Sequence, residues 1–222
     1  MKSLFLISVS IAIICSCQQK NKKLTADDLV EDSFKEQKDK GGLPEFTEHF
    51  DSLTNLYSNF KYRVAFDAPD HWQSDMGVSE HNIFRAYQAD SAISFSINVI
   101  ELKTNDTTEI DIWESYQKNK EQMDYPYNVL LPKQLNTELE NYVVSKSYLR
   151  NRISLKRSFN YMVRELDFEY ENTSIVYQTN SGNYIYTFGL DIPTMFYVVD
   201  PDFYNNLFLN ISFSLDKNEL LK

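Results

Sequence analysis

The chain has 222 residues with 22 basic and 32 acidic side chains, for a formal net charge of −10. That balance disfavours nucleic acid as a partner, because binding phosphates needs clustered lysine and arginine. Fifteen Phe and 15 Tyr stand against five Gly and six Pro, a usage that favours aromatic-rich extended sheet over glycine-rich phosphate-binding loops.

Lys2 followed by the apolar run Leu4 to Ile14 has the form of an export signal, too short to span a bilayer as a mature helix. Its end, Ile14-Cys15-Ser16-Cys17, resembles the lipobox of bacterial lipoproteins, with an aliphatic residue three before the cysteine and a small one just before it. The resemblance implies a signal peptide over residues 1–16 and Cys17 as the acylated first residue, with the membrane as a partner through that anchor. Cys15 fits less well, since bulky Ile14 precedes it. These are the only two cysteines, so this reading leaves the folded part without disulfides, Cys-ligated metals or thiol catalysis. Residues 17–44 are polar and close on Gly41-Gly42-Leu43-Pro44, which reads as a flexible tether. Within it, Leu24 to Glu36 carries a short helical pattern with Thr25 as N-cap. Residues 45–222 then form one domain of ordinary size.

Phe46, Phe50, Leu53, Leu56 and Tyr57 recur at helix-like intervals, predicting a helix over 45–59. From Phe60 the period becomes two, with Phe60, Tyr62, Val64 and Phe66 alternating with polar or small residues, a half-buried strand stopped near Pro69. Strands at 83–88 and 92–102, parted by Asp90-Ser91, predict an antiparallel hairpin. Asp106 before Thr107-Thr108-Glu109, then Ile110, Trp113, Tyr116, Gln117 and Lys120, predicts a helix over 107–123 ended by Pro126. Further strands read at 142–149, 153–163, 166–178 and 183–190, with Asn180-Ser181-Gly182-Asn183 as a turn. Asp200 as N-cap and Pro201 at the first helical position open a last helix, after which Ile211 to Leu215 is read as helix or strand. This order implies an α+β domain with an antiparallel sheet sandwiched by helices.

Phe66-Asp67-Ala68-Pro69-Asp70-His71-Trp72, together with Asp202-Phe203 through Phe213-Ser214-Leu215, resembles the PsbP and Mog1-like domains, over about residues 58 to 215. His71 departs from that pattern, standing where the family often has Gly. The resemblance implies the same antiparallel sandwich and a binding or assembly role without a shared catalytic set, so it carries over no catalytic residue. Asp51-Ser52-Leu53, Asp90-Ser91-Ala92 and Asp106-Thr107-Thr108 resemble O-glycosylation acceptors of Bacteroidota. The residues after Cys17 lack the acidic cluster of that phylum's surface-export signal, which implies an outer-membrane anchor facing the periplasm.

No metal-binding motif is present, and the three histidines, His49, His71 and His81, stand at no ligand spacing. Asp70-His71 and Glu80-His81 each set an acid beside an imidazole, the pattern of a carboxylate-assisted base. Trp72 and Trp113 offer stacking faces for a ligand. No nucleophile elbow, phosphate loop or dinucleotide motif occurs, and no cofactor is expected. The reading is a lipid-anchored envelope protein, a non-catalytic binding or assembly module for a protein or small ligand, with candidate contacts at His71, Trp72, His81 and Trp113. The alternative is an envelope hydrolase or metal-binding enzyme using the Asp/His loops, which requires His71 and His81 to converge.

Overall fold

A computed structural model describes residues 48–88, 90–102, 111–165 and 168–213. The signal segment, Cys17, the tether with its short helix, and Asp106 with the start of the expected 107–123 helix lie outside the described residues.

Two antiparallel sheets stack face to face. The smaller holds β1 (Glu48–Asp51), β2 (Leu56–Asn59), β3 (Val64–Asp67) and β11 (Ile211–Phe213), in the order β1-β2-β3-β11. The larger has β4 (Gln73–Met76), β5 (Asn82–Gln88), β6 (Ile93–Glu101), β7 (Leu139–Leu149), β8 (Arg152–Glu165), β9 (Phe168–Ser181) and β10 (Tyr184–Pro193). Its order is β4-β5-β6-β10-β9-β8-β7. Strand alternation sends Phe84, Phe95, Ile97, Phe188 and Leu190 toward the smaller sheet, where they meet Tyr57, Phe66 and Ile211 in one buried cluster. Phe66 and Phe95 stack across the two sheets at 4.2 Å and 5°. Each such side chain contributes about 1.5–3 kcal/mol on burial.

Helices cover the opposite face over β7, β8 and β9. They are α1 (Ile112–Lys118), α2 (Lys120–Tyr125), a π-helical turn Pro126–Leu130, and α3 (Leu131–Leu135). Tyr127 and Leu131 pack on Phe159, Tyr161 and Val176. Ile112 and Tyr116 pack on Leu155. After β10 come α4 (Thr194–Val199), α5 (Pro201–Asn206) and a 3-10 turn Leu207–Asn210, whose Leu207 and Phe208 close one end of the main core. The α+β antiparallel class stands, with a second small sheet sharing one covering layer with helices.

Several expected elements are corrected. The helix expected over 45–59 is the β1–β2 hairpin, because Asp51 accepts from Leu53 N and Thr54 Oγ1 and turns the chain. Leu53, part of the apparent apolar stripe, is 93% exposed at that turn, while Phe50 and Tyr57 pair across the strands. The strand expected from Phe60 starts only at Val64, since Asn59 Oδ1 accepts from Tyr62 N and Arg63 takes φ 52°, making Phe60–Arg63 a turn. The helix expected over 107–123 is capped by Asp111, which accepts from Trp113 N and Glu114 N, and breaks at Asn119. Pro126 does not end the helical run. It sits first in the π-turn, where its missing N–H costs little, and the run continues to Leu135. The 83–88/92–102 hairpin, the four long strands and the Asp200-capped helix are present, with ends shifted by a few residues. Ile211–Phe213 is strand, pairing with β3. The helix α4 was not expected.

Candidate functional site

His71 and His81 do not converge. Register pairs Gln73 with Tyr87 and Met76 with Phe84, so His71 precedes one end of the β4–β5 ladder and His81 follows the other. Strand β4 alone spans about 10 Å at 3.4 Å per residue. His71 is exposed, in the left-handed region at φ 70°, a conformation that glycine takes without cost. It tightens the turn in which Trp72 N donates to Pro69 O at 3.2 Å. Asp70 Oδ1 accepts from Asn55 Nδ2 at 3.2 Å rather than turning to His71. Exposed Glu80 and half-buried His81 sit at the β4–β5 turn, where His81 O accepts from Val99 N at 2.8 Å. The carboxylate-assisted base that the alternative reading required is therefore not assembled. Among the described residues no group of three or more His, Cys, Asp or Glu side chains is placed to hold a metal ion.

The tryptophans lie on opposite faces of the large sheet. Trp72 packs half-buried against the main core, and Trp113 against Ile112, Tyr116 and Leu155, with its ring 5.6 Å from Tyr116. They form no common stacking platform. Of the acceptor-like tripeptides, Ser52 is exposed at the β1–β2 turn, whereas Ser91 Oγ is buried.

The buried charge of the molecule lies elsewhere. Arg157 is 1% exposed, with its guanidinium 3.5 Å from Asp124 and 4.4 Å from the Tyr127 ring centre. It also donates to Tyr142 Oη, Gln178 Oε1 and Met123 O. Asp124 accepts from Tyr116 Oη at 2.9 Å and Tyr142 Oη at 2.8 Å. Burial, then the bond to Asp124, pushes the Tyr116 phenol up to about 12. Burial raises Tyr142 as well, against the pull of Arg157. Each Arg157 side-chain nitrogen and each Asp124 carboxylate oxygen has a partner within the chain, so this group locks the helical layer to the sheet. Its signal was present in β8, where Ile153, Leu155, Arg157, Phe159, Tyr161 and Val163 share one face and a single charge interrupts an apolar row.

A second unforeseen feature is a buried polar patch on the helix-side face of β5 and β6. Ser94, Ser96 and Asn98 alternate with Phe95, Ile97 and Val99, a pattern that reads as a solvated face, yet Ser96 is 1% and Asn98 4% exposed. Ser96 Oγ, both amide atoms of Asn98 and Arg85 Nε find no hydrogen-bond partner among the described residues. Each such atom costs about 1–3 kcal/mol.

The outer surface carries a third feature. In the six residues of α4, Met195, Val198 and Val199 are 67%, 70% and 82% exposed, and Phe196 is 38% exposed. Thr194 and Tyr197 turn inward: the Thr194 and Thr173 hydroxyls hydrogen-bond at 2.9 Å, and Tyr197 Oη accepts from Asn205 Nδ2 at 3.1 Å, which ties α4 to α5. Phe203 on α5 is also exposed, between Asp200 and Asp202 on one side and Asn205 on the other.

No family model matches the chain, and no curated protein matches it. Among solved structures, the cyanobacterial PsbP (CyanoP) of Synechocystis sp. PCC 6803 is similar over 71% of this chain and 91% of that one, at 13% identity and TM-score 0.48. A protein of Bacteroides thetaiotaomicron is similar over 70% of this chain at 13% identity and TM-score 0.43, with this chain spanning 46% of its length. The structural neighbours thus include a PsbP and a Bacteroides protein.

Proposed function

We propose that this chain is a lipid-anchored, non-catalytic binding or assembly module of a bacterial cell envelope, held at the outer membrane through Cys17 and facing the periplasm. The observation that carries the binding part is α4, where four of six side chains are apolar and exposed. Single exposed apolar residues are ordinary, but contiguous ones mark contact surfaces. Asp200 and Asp202 beside the patch favour a protein partner with basic residues flanking its apolar contact over an anionic bilayer surface. The anchoring part rests on the lipobox residues Ile14 to Cys17, since several acyl chains on one cysteine give stable membrane attachment.

A photo-crosslinking side chain at Val198, introduced into the full chain in cells, tests the binding part. The expected result is an adduct with one envelope protein that disappears when Phe196→Ser and Val199→Ser are added to a folded chain. Adducts with lipid only, or none, would overturn it. For the anchor, Cys17→Ala is expected to abolish fatty-acid labelling and release the protein from the membrane fraction; a variant that still labels would sink the assignment.

A further inference from the structure

We infer that the end of the molecule formed by the β2–β3, β7–β8 and β9–β10 turns docks on an anionic bilayer surface through Lys61, Arg63, Arg150 and Arg152, so that α4 points away from the membrane. The surface is distinct from α4, and the inference rests on the proposed anchor only to bring a bilayer within reach.

Register brings the three turns together. Leu149 pairs with Arg152 across the β7–β8 turn, and Ser181 with Tyr184 across the β9–β10 turn. Arg152 reaches toward the second of these, one terminal nitrogen donating to Asn180 O at 3.5 Å. The β2–β3 turn, Phe60–Arg63, lies at the same end: the Tyr186 hydroxyl donates to Tyr62 O, and the Tyr62 ring meets that of Tyr184 edge-on at 5.4 Å. Arg63 immediately precedes Val64, which pairs with Phe213, and the Arg152 guanidinium stands 5.1 Å from the Phe213 ring centre.

Charge divides the molecule along its length. The three turn segments, 60–63, 150–152 and 181–184, hold four bases and no acid, and Glu101, opposite Tyr184, offsets one of them. Lys61, Arg63 and Arg150 are exposed, and among the described residues none of the three is in an ion pair. Arg150 Nε donates to Ile211 O at 2.9 Å, a neutral carbonyl that leaves its charge uncompensated. Arg63 stands at φ 52°, where glycine or asparagine costs less, so this turn carries its charge against the backbone preference. The opposite end lies about 44 Å away along β9 at 3.4 Å per residue. It is acidic: Glu169 and Glu171 on β9 and Asp200 and Asp202 at α5 stand against Arg164, itself paired with Glu169. A net charge of −10 would repel an anionic surface as a whole, but with a screening length of about 8–10 Å only the near end is felt. Lysine and arginine are drawn to anionic headgroups and tyrosine settles at headgroup depth. Tyr62, half-buried between Lys61 and Arg63 with its hydroxyl accepting from Lys61 Nζ at 3.0 Å, supplies that ring. Cations and phenols carried on three separate tips fit a layer of headgroups, which has no fixed shape to match, better than one folded acidic partner.

The test places the lipidated protein on vesicles of phosphatidylcholine alone or mixed with phosphatidylglycerol, with a fluorophore on Asn151→Cys or on Val198→Cys and a nitroxide quencher on the lipid headgroups. Quenching is expected at Asn151 on the mixed vesicles, falling on phosphatidylcholine alone or in molar salt, and absent at Val198 on both. Lys61→Glu with Arg63→Glu is expected to lower it to the phosphatidylcholine level. Should that reversal disturb the β2–β3 turn, Lys61→Gln with Arg63→Asn removes both charges and keeps a residue suited to φ 52°. Equal quenching at Asn151 on both vesicles, equal quenching at Val198, or folded charge variants quenched like the parent would each overturn the inference. No quenching at Asn151 on either vesicle would leave the cations to a soluble acidic partner and overturn it as well. A failed anchor reads differently, as protein that sediments with neither vesicle.

Discussion

Asp124 and Arg157 face each other inside the molecule with three tyrosines around them, so removing one charge strands the other away from water. Asp124→Ala is expected to cost about 3–5 kcal/mol in urea denaturation. Asp124→Leu combined with Arg157→Met is expected to cost less than the two single changes summed, because neither charge is then left unpaired. Glu48 gives a pH effect of defined sign. Burial raises its carboxyl above the ordinary value, and the bonds from Tyr57 and Asn59 offset this only in part. A carboxyl with a raised folded-state pKa stabilises the fold below its unfolded pKa of 4.5, and that contribution is lost as pH rises through the folded value. Glu48→Gln should therefore be more thermally stable than the parent at pH 7, with the gap closing toward pH 4; an equal gap at both pH values would refute this. His71 in the left-handed region should make His71→Gly more stable than His71→Ala by about 1 kcal/mol, since only glycine relieves the strain.

Among the elements, α4 and α1 are held for opposite reasons. The helix α4 has no buried residue and leans on Tyr197. A polar substitution at Val199, 82% exposed, is therefore expected to change stability by no more than about 0.5 kcal/mol, so a loss of crosslinking from Val199→Ser alone reports contact and not folding. The helix α1 begins at Asp111, whose carboxylate takes two backbone N–H groups, and Asp111→Ala should cost about 1 kcal/mol by denaturation. The earlier candidate cap, Asp106, carried the same residue chemistry five positions upstream. The hairpins were more legible than the helices, because period-two alternation survives in β5, β6, β8 and β10, while the helical stripe over 45–59 was a coincidence of two short strands and a turn.

For the whole molecule, the stack of Phe66 on Phe95 joins the two sheets at the centre of the main core. Phe95→Ala is expected to destabilise the entire fold by about 3–5 kcal/mol in a single cooperative transition, because the cavity opens between layers and not at an edge. At high pH the same fold should fail as a unit. The Tyr116 phenol, raised to about 12, stabilises the folded state below the unfolded tyrosine pKa of about 10, and that contribution is lost as pH climbs from there through about 12. Near-ultraviolet circular dichroism is expected to collapse together with tyrosine ionisation in that window.

The amino-acid order alone determined the α+β class, the antiparallel hairpins from Ile83 onward and the Asp200 cap, because alternation and capping are local and need no distant partner. It also carried the lipobox, a local pattern whose consequence lies outside the described residues. Only the tertiary structure decided which polar residues are buried. Ser96 and Asn98 read as a wet face, yet in the folded chain they are buried, and Arg157 read as one more strand polar residue until α2 brings Asp124 to it. It likewise parted His71 from His81, since ten residues of sequence separation mean proximity in a tight turn but opposite ends in a strand hairpin. Burial and convergence depend on which elements pack together, and that is a property of the assembled chain.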